Sequence, residues 1–105
     1  MASLSDPDVL PDLINQTWAL YQQPHTAAQG ATLAAQLQDL TQRLADLSDV
    51  TLDKTKQEYK DAVTAVQNAT QQIKQAQQDI AKVAAAIGQV ASVIAALAKV
   101  AATIA

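Results

Sequence analysis

Apolar side chains recur at helical spacing from Leu10 to Ile104 and fall into three runs. The first is Leu10, Leu13, Ile14, Leu20 and Tyr21, with Trp18 alongside. It predicts a helix A over residues 9–22, after a tail at 1–8. Asp8 is placed to cap this helix, with Pro11 in its first turn, where a missing N–H costs nothing. Pro24 stops it.

The second run is leucine throughout: Leu33, Leu37, Leu40, Leu44 and Leu47. Alternating steps of four and three residues put all five on one face of a helix B over 26–48. Thr26 followed by Gln29 fits a capping box at its start.

The third run dominates. Counted in sevens, one row holds Leu52, Tyr59, Val66, Ile73, Ile80, Ile87, Ile94 and Ala101. The second row holds Thr55, Ala62, Ala69, Ala76, Val83, Val90, Leu97 and Ile104. No proline interrupts them, and the register predicts one helix C over 52–105, about 80 Å long at 1.5 Å per residue. Up to residue 76 the second row is small, which leaves room for the leucines of helix B. Beyond residue 80 both rows are large, and Ala86, Val93 and Val100 widen the stripe past what one neighbouring helix covers. The fold class is therefore all-α: an elongated antiparallel helical hairpin or bundle, one domain over 1–105. A long, heptad-patterned C-terminal helix carries two shorter N-terminal helices folded back on it.

Composition sharpens this picture. Alanine and glutamine, both good helix formers, dominate a chain with two Gly, three Pro and no Phe. The net charge of −3 divides unevenly: residues 1–50 carry six Asp against one Arg, residues 51–105 six Lys against three Asp and one Glu. Opposite signs favour the two halves lying side by side. Scattered lysines on an acidic chain make no phosphate-binding stripe, so nucleic acid is not an expected partner.

Chemistry is sparse. With no cysteine and a single histidine, His25, there is neither a metal-ligand pattern nor a nucleophile–base pair. Asp8 with Asp12, Asp46 with Asp49 and Glu58 with Asp61 read as solvated helix faces. The chain is thus expected to be no enzyme, with no cofactor, no metal and no small-molecule substrate. The N-terminus lacks the basic and apolar regions of a cleaved signal, which leaves a cytoplasmic location or leaderless export.

Expected function rests on the tail. The seam of Ile73, Ile80, Val83, Ile87, Val90, Ile94, Leu97 and Ile104 predicts assembly, either as a homo-oligomer or with a helical partner, through a coiled-coil-like contact. The alternative is a membrane-active or pore-forming subunit that inserts residues 83–105, a stretch with Lys99 as its one charge. A second alternative is an inhibitor or chaperone of another helical protein, working through the tail or the Leu33–Leu47 stripe. Trp18 and Tyr21 either anchor a partner or plug helix A onto helix C, and the plug is the preferred reading.

Two resemblances are confined to composition. The acidic, Ala/Gln-rich chain is similar to the small helical hairpins of the WXG class, which turn on Trp-x-Gly. Here Trp18 is followed by Ala19 and Leu20. The stretch IAKVAAAIGQVASVIAALAKV, residues 80–100, resembles the apolar helices of α-helical pore-forming toxins. Neither assigns a family or a functional residue.

Overall fold

A computed structural model describes residue 4 and residues 9–23, 26–48 and 55–102. Four α-helices make up most of these: α1 (Leu10–Tyr21), α2 (Ala27–Ser48), α3 (Gln57–Gln78) and α4 (Val83–Ala102). A 3-10 turn, Ile80–Lys82, leads into α4, and with it the C-terminal helical segment spans 23 residues, the longest in the bundle.

Helices A and B have close counterparts in α1 and α2. Pro11 lies in the first turn of α1, while the residue at the cap is Val9, with no side-chain bond; Asp8 lies outside the described residues. At the start of α2 the expected capping box is formed. The Thr26 N–H donates to Gln29 Oε1 at 3.0 Å, and the Gln29 N–H donates to Thr26 Oγ1 at 3.1 Å. Two donors that would otherwise lack partners are satisfied reciprocally.

Helix C is not continuous. Asp79 takes an extended conformation (φ −146°, ψ 103°), ending α3, and its carboxylate accepts from the Ala81 N–H at 3.1 Å. The residue that stops one helix thereby caps the next turn. A straight helix over 57–102 would reach about 69 Å, whereas the longest dimension of the molecule is 39 Å, against 22 and 19 Å across. The radius of gyration, 13.3 Å, is that of a globular chain of this size. The elongated hairpin is replaced by a compact four-helix bundle because the third run folds on itself.

Neighbour relations follow. α3 and α4 form the most extensive pair; α1 packs on α3 and on α2, and α2 packs on α4. Among the described residues the backbones of α2 and α3 do not come within 8 Å of each other, although they follow each other in the chain. Asp12 faces Lys74 at 4.0 Å, and one turn on Gln77 Nε2 donates to Gln16 Oε1 at 2.9 Å and to the Gln16 carbonyl at 3.2 Å. α1 and α3 therefore run in the same direction.

α3 takes α1 and α4 as its neighbours rather than the leucines of helix B. Ala62 and Ala69 are completely buried and Ala76 nearly so, with Leu10, Leu13 and Leu20 of α1 in the same core. Close backbone approach across alanine makes up for the little area each one buries. Thr17 is also fully buried, and its hydroxyl donates back to the Leu13 carbonyl at 2.7 Å. Below α1, the backbone N–H of buried Leu4 donates to the Tyr59 hydroxyl at 2.8 Å.

α4 buries Val83, Ala86, Val90, Val93, Leu97 and Val100. Its core face is therefore centred on the Val83/Val90/Leu97 row and the flanking Ala86/Val93/Val100 row. α2 packs on it and brings Leu33, Leu40 and Leu47 into the same core, together with Gln36, which is 6 % exposed. Gln36 Nε2 donates to the Ile87 carbonyl at 3.0 Å, while Gln36 Oε1 is buried with no hydrogen-bond partner among the described residues. An unpaired buried acceptor costs about 1–3 kcal/mol.

Two stability changes are expected. Gln36→Leu removes the unpaired acceptor and leaves the Ile87 carbonyl its helical bond, so unfolding in urea should shift to higher concentration, by up to about 1 kcal/mol. Gly88 lies inside α4, and among the described residues no atom beyond its own stretch of helix comes within 4 Å of where a Cβ would stand. Gly88→Ala should therefore stabilise the bundle by about 0.5–1 kcal/mol, read as a raised melting temperature.

Candidate binding cleft

The bundle divides the predicted seam in two. Ile73, Val83, Val90 and Leu97 are buried in the core of the chain itself. Ile87 and Ile94 are half-buried at its margin, and Ile80, in the 3-10 turn, is 61 % exposed. Ile104 lies outside the described residues. The hairpin leucines are similarly placed: Leu33, Leu37, Leu40 and Leu47 are buried and Leu44 is half-buried against the core.

Trp18 corrects the preferred reading of the aromatic pair. It does not plug α1 onto α3. Its position on the helix falls outside the Leu10/Leu13/Thr17/Leu20 face, and it is 49 % exposed. Tyr21 is exposed too, and the two rings meet edge to face, with centroids 5.9 Å apart and planes at 84°. Such a pair gains about 0.5–1.5 kcal/mol beyond area burial and holds both rings in fixed orientations.

These rings form one wall of an open cleft of about 730 Å³ between α1 and α2. The other wall is α2, with Ala34, Leu37 and Ala45 as its apolar part and Gln38, Asp39, Thr41 and Gln42 as its polar part. Gln42 Nε2 donates to Asp46 Oδ1 at 3.0 Å, which fixes a second carboxylate along the same helix. Among the described residues, α1 and α2 carry Asp12, Asp39 and Asp46 against Arg43, while residues 55–102 carry Lys56, Lys60, Lys74, Lys82 and Lys99 against Glu58, Asp61 and Asp79. The α2 wall was the part that sequence reasoning missed. Its signal was present: Ala34, Gln38, Thr41, Gln42 and Ala45 share one helical face beside the leucine row, but small and polar residues look like plain solvated surface.

His25 lies outside the described residues. Among the described residues no three His, Cys, Asp or Glu side chains come together as a metal site would require. Among the described residues one helical segment, Ile80–Ala102, is long and apolar enough to cross a membrane, and 28 % of its most apolar window is buried in the bundle. Comparison with family models, with curated proteins and with solved structures finds no match for this chain.

Proposed function

We propose that this chain is a non-enzymatic helical interaction module that binds a partner through the α1/α2 cleft. The observation that carries the reading is the half-exposed Trp18. The chain has three aromatic side chains, and folding buries only Tyr59 among them. A large apolar ring left in water beside an apolar wall is the arrangement that binding hot spots show. The C-terminal seam, which sequence alone favoured for this role, is largely occupied by the chain's own core.

The cleft suits one face of a partner helix. An aliphatic side chain of that helix fits between Trp18 and Leu37, and lysine or arginine on its rim meets Asp39 and Asp46. Trp18 is the only tryptophan in the chain, so its fluorescence reports on the site directly. Titration with an amphipathic Leu/Lys helical peptide is expected to shift its emission to the blue. Binding of that peptide to Trp18→Ala, followed by calorimetry, should be weaker by about 2 kcal/mol or more. Equal affinity for the variant would remove the cleft from consideration.

The length and apolar character of Ile80–Ala102 favour a second reading, membrane insertion of α4. On this reading the protein co-floats with phosphatidylglycerol vesicles. A charge at outward-facing Gly88, where open space lets the bundle tolerate Gly88→Asp, abolishes flotation. Failure of the wild-type chain to float at any lipid ratio counts decisively against it.

A further inference from the structure

α3 and α4 lie side by side, yet their outward faces differ in kind. α3 shows water polar residues such as Lys60, Gln67, Gln71 and Lys74. Along α4, the outward edge instead reads Ile80, Ala84, Ile87, Ala91, Ile94 and Ala98. Ile80 is 61 % exposed, Ala84 and Ala91 are exposed, and Ile87, Ile94 and Ala98 are half-buried. Large and small residues alternate at steps of four and three, so the edge has knobs and notches of its own.

We propose that this edge of α4 is an interface between two copies of the chain, packed antiparallel about a two-fold axis beside Gln89. A two-fold contact is self-complementary: if residue i meets residue j of the second copy, then j meets i. With the axis there, Ile80 faces the second copy's Ala98, Ala84 faces its Ile94 and Ile87 faces its Ala91. Each isoleucine enters an alanine notch, which lets the helix backbones approach closely. The same register sets Asp79 opposite the second copy's Lys99, twice over. Both side chains are exposed. They are the acidic residue just before the segment and the basic residue of its last turn, so antiparallel pairing joins opposite charges and opposed helix dipoles. Of the registers that put isoleucine against alanine, this one also pairs those charges. The edge shares no residue with the α1/α2 cleft and stands or falls independently of it.

Sedimentation equilibrium of the full chain in detergent-free buffer tests the proposal. A reversible dimer is expected. Ala91→Arg, at an exposed position, should leave the far-UV circular dichroism unchanged, give a monomer, and remove the concentration dependence of the melting temperature that a dimer imposes. Lys99→Gln, and Asp79→Asn, which keeps the oxygen that caps the turn, should each raise the dimer dissociation constant about threefold to tenfold for two lost ion pairs. The double variant should be no weaker than either single one, because both remove the same pairs. A monomer at every concentration overturns the proposal, as does a dimer indifferent to Ala91→Arg or a double variant weakened by the sum of the two single effects. Vesicle binding blocked by Ala91→Arg, with no dimer in solution, assigns the edge to lipid and overturns it too.

Discussion

The extended conformation at Asp79 governs the rest of the molecule. Residues 57–102 are helical on both sides of it, and a helix without that break would have offered its broad apolar stripe to solvent over a length nearly twice that of the folded molecule. One residue out of the helical range turns the stripe back on itself. The cost is small, since Asp79 accepts the Ala81 N–H and the turn supplies a Lys82 N–H bond to the Asp79 carbonyl at 3.0 Å. The return is the α3/α4 pairing, the largest helix contact of the bundle.

Once that pair exists, side-chain volume decides where the other helices go. α3 buries Ala62, Ala69 and Ala76 in the common core, so its neighbours can come close, and it takes α4 on one side and α1 on the other. Polar links at the rim, Gln77 to Gln16 and Lys74 to Asp12, fix the direction and register of that contact rather than its strength. α4 is apolar over a wider arc than one neighbour can cover. It takes α3 and α2 together, and the burial of Ala86, Val93 and Val100 beside Val83, Val90 and Leu97 records that double contact. The uneven charge division is met at the α1/α3 contact, where Asp12 of α1 faces Lys74 of α3.

How much of this could be read from the chain depends on the kind of signal. Helices α1 and α2 were legible because their ends carry local chemistry: Pro11 in a first turn, and Thr26 with Gln29. The all-α class followed from composition. The break at Asp79 was not legible, because the seven-residue rows pass through it without changing phase. Ile80 sits on the same row as Ile73 and Ile87, so periodicity counted it as core, yet it occupies a turn and is mostly exposed. A capping aspartate after Gln77 and Gln78 was the only mark, weaker than a glycine or proline would have been. Trp18 was misplaced for a related reason: size suggested a plug, whereas its angular position on α1 put it beside α2, at the bundle surface.

What the bundle leaves uncovered follows from the same geometry. Four helices in a ring enclose one core, and every helix keeps an outer face. On α3 that face is polar. On α1 it ends in two aromatic rings beside α2, and on α4 it is alanine edged with isoleucine. Water would tolerate lysine or glutamine at Trp18 and Ile80 as readily as it does on α3, and neither belongs to the core cluster of the described residues, whereas Ile87 and Ile94 pack on its margin and leave their outer parts to solvent. Trp18 and Ile80 therefore keep large apolar surface outside the core. One stands across the cleft from Asp39 and the other between Asp79 and Lys82, which equips the two surfaces for different contacts.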